Sequence, residues 1–351
     1  MTIKTVVFSG GGLRGFAYIG AIKALVNYGI LLNKDADAPG GLVCNTFAGS
    51  SVGGFTALLC ALHYTPNELI DFIKYFDYDK LKNLEILNFT ESFGLETGNK
   101  IVDFISETVY YKTGKKDMTF EELYHFNKAD LMVTGTSLKD SKTVYFDRHL
   151  TPNFSIVKAV RITISIPLIF TPVIQGWLNG NPVNRRETSV SPTAQRGNNG
   201  DEIDNYYEDM YVDGAMLNDL PIEKYDKQST LGILLKDTSL CESKNINDHY
   251  PNLINYIKGL WKCVSKNIKS NHPNYNIVTI NTPAICNTFN LDYDTQQRKE
   301  LLKLGYRSTA LRLKELGYVK ISSKTNLFDQ FVSKSSVSDT DTLSHQSGGQ
   351  T

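Results

Sequence analysis

The chain has 351 residues, 41% of them hydrophobic, which is enough to form a sizeable core in one large α/β domain or two smaller ones. Its 37 basic and 37 acidic residues leave no net charge, which excludes a global electrostatic attraction to nucleic acid or to an anionic bilayer. No stretch approaches the roughly 18 uninterrupted apolar residues of a membrane span, so we expect any membrane contact to be local.

The N-terminal segment and the cysteines both favour a reducing compartment. Residues 1–8 lead directly into a predicted strand, without the apolar segment and small-residue cleavage site of a signal peptide. The five cysteines are scattered and include no Cys-x-x-Cys pair, so neither a disulfide framework nor a zinc site is expected. We therefore expect a cytoplasmic protein without a bound metal.

A glycine-rich turn follows the first predicted strand. Residues 5–8 are predicted to be the strand and residues 16–28 a helix, with Ser9-Gly10-Gly11-Gly12-Leu13-Arg14-Gly15 between them. Such a turn presents backbone N–H groups to an anion, helped by the dipole of the following helix. Arg14 either adds positive charge or pins the loop. A phosphate cradle, an oxyanion hole and a plain tight turn all fit this segment.

The same loop satisfies the dinucleotide-binding motif Gly-x-Gly-x-x-Gly through Gly10, Gly12 and Gly15. A single match of this kind is weak evidence. The expected second strand, ending in an acid about twenty residues later, is missing because residues 32–41 form a polar loop. A nucleotide-binding protein stays as an alternative from another functional class.

The next turn carries the strongest motif. Residues 42–47 are predicted to be a short buried strand and residues 54–62 an apolar helix, with Gly49-Ser50-Ser51-Val52-Gly53 on the tight turn between them. This is the setting of a nucleophile elbow, where larger side chains at Gly49 and Gly53 would collide with the strand and the helix. Ser51 then stands at a helix N-terminus, where the dipole favours negative charge. A merely flexible turn is the alternative, but its flanks would also be rich in Gly and Ser.

The rest of the chain alternates helices and strands. We predict helices over residues 66–76, 99–110, 119–126, 155–164, 253–268 and 295–316, and strands over residues 131–136, 143–146, 231–235 and 277–280. This alternation is typical of a three-layer α/β/α sandwich with a mostly parallel central sheet. Functional groups in such sheets collect at the carboxyl ends of the strands.

Three segments depart from this pattern. The apolar run at residues 167–174 fits either the core or the wall of an acyl pocket. Residues 176–208 are polar and rich in Gly and Asn, and we favour an exposed, mobile insertion there over a functional lid. Residues 321–351 are predicted to be a disordered tail after a single domain over residues 1–320.

A candidate base follows the insertion, where strand character resumes at Tyr211-Val212-Asp213-Gly214-Ala215. A hydrolase that used histidine as its base would place it after the acid, but His249 and His272 lie in polar loops without a recognisable frame. Asp213 instead ends a strand, and Gly214 allows Ser51 or a substrate to approach closely.

Taken in order, these motifs resemble those of the patatin-like phospholipases. The resemblance rests on the glycine-rich loop Gly10-Gly11-Gly12-Leu13-Arg14-Gly15, the elbow Gly49-Ser50-Ser51-Val52-Gly53, the element Asp213-Gly214-Ala215 and the segment 160–173 with its Ser165-Ile166-Pro167 turn. It covers roughly residues 3–235, extends more loosely to about residue 316, and leaves out the insertion and the tail.

The resemblance implies a lipid acyl hydrolase with a Ser–Asp dyad and no histidine. Ser51 would attack an ester carbonyl, Asp213 would accept its proton, and the amides of residues 10–12, with Arg14 nearby, would stabilise the oxyanion. A lipid ester substrate and transient contact with a membrane surface follow, through the insertion or the lysine-rich helix at residues 253–268. No cofactor and no nucleic-acid partner are expected, and a protein activator is left open.

One physical difficulty accompanies this mechanism. An ordinary carboxylate has a pKa of about 4 and is a weak base towards a serine hydroxyl. Burial beside an apolar pocket would raise that pKa, and direct hydrogen bonding would align the hydroxyl. The nearby Asp219 is interpreted as structural, because Asn218-Asp219-Leu220-Pro221 is typical of a turn after a strand. An inactive lipid-binding scaffold that keeps the motifs is the third alternative.

Overall fold

The structure is a computed structural model that describes residues 2–31, 44–75, 93–178, 181–183, 206–237, 259, 272, 274–283, 293–321 and 327–333. Its centre is a nine-stranded mixed sheet flanked by helices. The predicted α/β/α sandwich is confirmed. The main hydrophobic core lies between the sheet and the helices, and Phe8, Phe47 and Leu58 are among its fully buried side chains.

The strands are β1 (Thr5–Phe8), β2 (Thr46–Gly49), β3 (Gly94–Glu96), β4 (Asp130–Ser137), β5 (Lys142–Asp147), β6 (Leu168–Phe170), β7 (Val173–Leu178), β8 (Asn181–Val183), β9 (Tyr206–Asp213), β10 (Thr230–Asp237) and β11 (Asn276–Thr282). The sheet has the order β11-β10-β1-β2-β4-β9-β7-β8, with β5 also paired to β4. Strands β3 and β6 form a separate two-stranded sheet.

The helices are α1 (Phe16–Asn27), α2 (Val52–Ala61), α3 (Pro66–Tyr75), α4 (Asn99–Thr113), α5 (Phe120–Asn127), α6 (Ile156–Thr163), α7 (Thr295–Glu315) and α8 (Leu327–Ser333). The first seven lie close to their predicted positions. Local signals set several of these boundaries: Thr119 and Glu122 form a capping box before α5, and the side chain of Ser155 accepts the Lys158 N–H before α6.

The sheet is more mixed than the sequence predicts. Strands β11, β10, β1, β2 and β4 are mutually parallel, and β1 is buried along its whole length, as expected for a parallel strand covered on both faces. The pairings of β4 with β5, β4 with β9, β9 with β7 and β7 with β8 are antiparallel. The polar turn between β4 and β5 is too short for a crossover helix, so β5 folds back on β4.

Strand β4 brings two distant strand ends together. Val133 of β4 pairs with Gly49 of β2 on one side and with β5 on the other. Gly135 of β4 pairs with Asp213 of β9, and again with β5 on its other side. Strands β2 and β9 therefore share one edge of β4 and run towards each other along it. Their carboxyl ends meet beside residue 134, so Asp213 reaches the end of β2 although its own strand runs against β4.

The predicted insertion is shorter at both ends. Residues 176–178, 181–183 and 206–208 belong to β7, β8 and β9. Aromatic packing explains why these polar segments form strands: Trp177 pairs with Tyr207 across the strands and stacks on Phe154, with ring centroids 5.4 Å apart. Residues 184–205 lie outside the described residues. The apolar run at residues 167–174 contributes the half-buried β6 and the start of β7.

The predicted disordered tail contains a helix. Helix α8 occupies residues 327–333, and Phe331 and Val332 pack against the main core, with the Lys299 ammonium over the Phe331 ring. The apolar residues Leu327, Phe328, Phe331 and Val332 have helical spacing, which is the signal for this helix in the sequence. The helix predicted over residues 253–268 lies outside the described residues except for Gly259. None of the described helices combines the length and the apolar character needed to cross a bilayer.

Candidate active site

The turn between β2 and α2 holds Ser51 in an unusual backbone conformation. Its φ is 54° and its ψ is −131°, a region that a residue with a side chain adopts at an energetic cost. The glycines around it are required by close packing. A Cβ on Gly49 would lie 2.4 Å from the carbonyl carbon of Gly53, and one on Gly53 would lie 2.4 Å from the Phe8 carbonyl oxygen. This is the sharp strand-to-helix turn of a nucleophile elbow.

The Ser51 hydroxyl donates a hydrogen bond of 2.7 Å to Oδ2 of Asp213. Both side chains are withdrawn from solvent, with 5% of Ser51 and none of Asp213 exposed. The other carboxylate oxygen, Oδ1, accepts the N–H of Ala215 at 2.8 Å. The carboxylate is therefore held between the hydroxyl and a backbone amide, with one oxygen directed at Ser51.

The backbone of Asp213 is fixed as firmly as its side chain. Its N–H donates to the Ser165 carbonyl at 2.9 Å, and its own carbonyl accepts the Thr136 hydroxyl at 2.9 Å. We expected Gly214 to allow Ser51 or a substrate to approach closely, but the residue that approaches it is Thr134. A Cβ on Gly214 would lie 2.1 Å from the Thr134 Oγ1. The glycine thus lets the end of β9 pass over β4.

Burial raises the pKa of Asp213 from its ordinary value to about 7. The hydrogen bonds from Ser51 and from the Ala215 N–H act in the opposite direction, and the negative charge of Asp219 adds to the increase. A carboxylate with this pKa is a much stronger base than an exposed one and is still largely ionised slightly above neutral pH. A raised pKa is the change that a carboxylate needs in order to act as a base towards a serine hydroxyl.

The glycine-rich loop between β1 and α1 lies beside the elbow. Gly11 and Gly12 are half-buried with φ of 156° and 57°, and neither N–H donates in the loop and turn hydrogen bonds of the described residues. Gly10 departs from the expectation of a bare amide, because its N–H donates to Oδ1 of Asp219 at 3.0 Å. Gly15, at the start of α1, lies against the side chain of Val52.

Arg14 pins the glycine-rich loop. Its buried guanidinium donates from Nε to the Gly11 carbonyl at 3.1 Å and from Nη1 to the Thr282 hydroxyl at 3.4 Å. Its positive charge also acts on the carboxylate of Asp219 and lowers the pKa of that group. Arg14 therefore pins the loop, and a direct effect of its charge on a bound anion stays a prediction.

Arg161 supports the site, although the sequence did not single it out. Its buried guanidinium donates to the carbonyls of Thr97 at 3.1 Å and Thr171 at 3.0 Å, and to the hydroxyl of Ser165. Ser165 in turn accepts the N–H of Asp213. Burial lowers the pKa of Arg161 to about 10. A charged residue on the apolar face of predicted helix 155–164 was the signal available in the sequence.

His272, one of the two histidines considered as a base, lies within the described residues and packs against another side chain than that of Ser51. His272 is half-buried and packs edge-on against Tyr275, and burial lowers its pKa. The only side chain that hydrogen-bonds the Ser51 hydroxyl among the described residues is that of Asp213. His249 lies outside that part of the chain. The same described residues hold no cluster of three or more His, Cys, Asp or Glu side chains arranged for a metal ion.

Comparison with known proteins places these residues in context. The family model described as Patatin, patatin-like phospholipase, matches residues 6–224, a span that includes Ser51 and Asp213. The chain is 30% identical over 249 residues to the uncharacterized protein R571 of Acanthamoeba polyphaga mimivirus, covering 68% of this chain and 77% of that protein.

Two further similarities concern a lipid hydrolase and a solved structure. The chain is 27% identical over 230 residues to the probable lipid hydrolase 463L of Invertebrate iridescent virus 6, covering 63% of this chain and 62% of that protein. The crystal structure of VipD from Legionella pneumophila matches with a TM-score of 0.52 and 16% identity, covering 90% of this chain and 67% of that one. At that identity the VipD match supports the fold alone.

Proposed function

The chain belongs to the patatin-like phospholipase family, and on that premise we propose that it is a lipid acyl hydrolase of the phospholipase A type. It cleaves fatty acyl esters of phospholipids or related lipids through a Ser51–Asp213 dyad and an acyl-serine intermediate. The observation that carries the proposal is the 2.7 Å hydrogen bond from the Ser51 hydroxyl to the buried carboxylate of Asp213. The similarity to a viral protein named as a probable lipid hydrolase supports the substrate class.

Acylation begins with the Ser51 hydroxyl. As its oxygen attacks the ester carbonyl carbon, its proton moves to Oδ2 of Asp213, which already accepts the hydrogen bond. The bond between the carbonyl carbon and the alcohol oxygen then breaks. The departing lysolipid oxygen takes the proton from Asp213, which leaves the acyl group on Ser51 and an ionised carboxylate.

Deacylation repeats these steps with water. Asp213 accepts a proton from a water molecule that attacks the acyl-serine, and it returns this proton to the oxygen of Ser51 as the fatty acid leaves. The carboxylate is well placed for both half-reactions because the Ala215 amide keeps it oriented when the Ser51 hydrogen bond is broken.

Negative charge on the carbonyl oxygen must be stabilised in both steps. The backbone amides of Gly11 and Gly12 are the candidate donors, together with the N-terminus of α2, whose dipole favours negative charge. One oxyanion donor contributes on the order of 3 kcal/mol to transition-state stabilisation. Arg14 supports this set by holding the Gly11 peptide.

A nucleotide-binding role for the glycine-rich loop receives less support. A phosphate cradle needs the loop amides to be available, but the Gly10 N–H donates to the carboxylate of Asp219. An inactive lipid-binding scaffold is the remaining rival and differs from the proposal only in turnover.

We place the protein in the cytoplasm with peripheral contact to membranes, where lipid esters are held in aggregates. Both segments considered for this contact, the polar insertion and the lysine-rich stretch at residues 253–268, lie largely outside the described residues. The proposal leaves a protein activator open and assigns no surface to it.

The proposal is tested with the purified full-length chain on a panel of phospholipid and neutral lipid esters. We expect wild type to release fatty acid and to react with a fluorophosphonate serine probe, and Ser51→Ala to lose at least three orders of magnitude in kcat. Ser50→Ala is the matched control, because that hydroxyl contacts Thr134 and the Asn218 carbonyl rather than Asp213. Equal turnover by Ser51→Ala and wild type would refute the proposal, and liposome binding without turnover would favour the scaffold.

A further inference from the structure

The first glycine of the loop is attached to a second acidic residue. The Gly10 N–H donates to Oδ1 of Asp219 at 3.0 Å and lies 3.3 Å from the carbonyl oxygen of the same residue. A Cβ on Gly10 would lie 2.7 Å from Asp219 Oδ1, 3.0 Å from the Cβ of Ala215 and 3.2 Å from the Cβ of Ser51. Asp219 therefore reaches the point where the loop, the elbow and the end of β9 meet.

Asp219 and Arg14 hold the loop from its two sides. Asp219 binds the N–H of Gly10, and the Arg14 guanidinium binds the carbonyl of Gly11. The two side chains also attract each other, since the charge of Arg14 lowers the pKa of Asp219. With these two contacts in place, the peptide planes between Gly10 and Gly12 have little freedom to rotate.

We propose, building on the proposed hydrolase function, that Asp219 is a positioning residue for the oxyanion donors. Its carboxylate takes the Gly10 amide and thereby fixes the amides of Gly11 and Gly12 in the orientation that receives the negatively charged oxygen formed at Ser51. The structure thus assigns Asp219 a role in the reaction in place of the purely structural turn that its sequence context indicates.

The charge of Asp219 acts on the base as well. Within the part of the chain that the structure describes, the ionisable groups that act on Asp219 or respond to its charge are Arg14 from the turn before α1, Tyr18 from α1 and Asp213 at the end of β9. Burial keeps the Tyr18 phenol neutral by raising its pKa, and raises the pKa of Asp219 to about 6. Ionised Asp219 raises the pKa of Asp213, so removing its charge lowers the pH at which Asp213 becomes a base.

Two variants separate the hydrogen bond from the charge. Asp219→Asn keeps a side-chain oxygen acceptor for the Gly10 N–H but removes the charge. Asp219→Ala removes both the side-chain acceptor and the charge, and leaves the Gly10 N–H only the backbone carbonyl oxygen of residue 219 at 3.3 Å. Asp140→Asn is the control, because Asp140 is an exposed carboxylate in the turn between β4 and β5, paired with Lys142. The probes are a hydrolysable phospholipid, a lipid trifluoromethyl ketone that forms an oxyanion on the nucleophilic serine, and a non-hydrolysable ether lipid that does not.

For Asp219→Ala we expect kcat/KM to fall on the order of tenfold to a hundredfold, since misplaced catalytic donors typically cost this much. The inhibition constant of the ketone should rise by a similar factor, while the dissociation constant of the ether lipid should stay within about twofold. Asp219→Asn should keep ketone inhibition close to wild type and shift the acidic limb of the kcat/KM profile to lower pH.

Several results would overturn the proposal. Unchanged ketone inhibition in Asp219→Ala would remove the positioning role, and an equal loss of ether-lipid affinity would indicate a general defect in the site. If Asp219→Ala does not fold, as judged by circular dichroism, Asp219→Asn decides: ketone inhibition weakened tenfold or more, although an oxygen acceptor for the Gly10 N–H is kept, would contradict the proposal. Failure of the hydrolase function itself is recognised separately, because wild type would then neither hydrolyse esters nor react with a fluorophosphonate.

Discussion

The hydroxyl of Ser51 and the carboxylate of Asp213 share a hydrogen bond although 162 positions separate them in the chain. The contact follows from strand topology, because β2 and β9 approach each other along one edge of β4 and their carboxyl ends meet. A carboxylate that is so close to the Ser51 hydroxyl and so deeply buried has different properties from a surface carboxylate. The first two predictions depend on that burial.

Activity should depend on pH through Asp213. Its pKa is about 7 and the base must be ionised, so kcat/KM should fall as the pH decreases through about 7 and level off above it. The profile is measured with an uncharged ester substrate, so that only groups of the enzyme titrate. Asp140→Asn should keep the wild-type profile. Full activity down to pH 5 would mean that a group other than Asp213 is the base.

Asp213→Asn should lose activity but gain stability at alkaline pH. The folded-state pKa of Asp213 is raised above its ordinary value of 3.8, so folding favours the protonated form and wild-type stability declines as the pH rises towards 7. The amide carries no charge, and at pH 8 we expect it to raise the free energy of unfolding by about 1–3 kcal/mol. Urea denaturation at pH 8 and pH 5 tests this, and a difference that does not shrink at pH 5 would contradict it.

His249 and His272, the two histidines considered as bases, should be dispensable. His272 packs against Tyr275 and has a pKa lowered by burial, whereas the hydrogen bond that the Ser51 hydroxyl donates goes to Asp213. We expect the double variant His249→Asn, His272→Asn to keep kcat/KM within about twofold of wild type, as is common for substitutions away from a site. A loss of a thousandfold or more would restore a histidine-based mechanism.

Gly53→Ala should destabilise the protein through crowding alone. Its φ is not among the positive values of the chain, but the new Cβ would meet the Phe8 carbonyl oxygen at 2.4 Å. Gly114→Ala is the matched control, because Gly114 has a φ of 73° and open space around it. We expect a loss of about 3 kcal/mol at Gly53 against about 1 kcal/mol at Gly114, measured by urea denaturation. Equal losses would mean that the elbow relaxes around the added methyl group.

The sequence predicts those parts of the site whose conformation is determined by short, contiguous segments. The strand, the Gly-x-Ser-x-Gly turn and the helix around Ser51 are contiguous, and each sets its own conformation. The sequence indicates Asp213 because a predicted strand ends there in Asp-Gly-Ala. The α/β/α architecture followed from alternating elements in the same way.

The remaining features depend on contacts between distant segments. Asp219 looked like part of a turn because its partner, the Gly10 amide, lies 209 positions away. In the sequence Arg161 is one charged residue of a helix. Its hydrogen bonds to Thr97, Thr171 and Ser165 are visible only in the folded structure. The sequence places residues 176–178 of β7 and residues 206–208 of β9 in an insertion, because their aromatic pairing is visible only when both strands are aligned.

Because β2 and β9 share one edge of β4, the order in which the strands are synthesised determines when Ser51 and Asp213 can meet. During synthesis Ser51, the glycine-rich loop and β4 all leave the ribosome well before β9. The early part of the sheet can therefore assemble before Asp213, the proposed proton acceptor, is present. A truncated chain that stops short of β9 would carry every residue of the elbow but would lack Asp213, the proposed base. Of the two strands that share this edge of β4, β9 is synthesised later, so the proposed dyad can form only after β9 has paired.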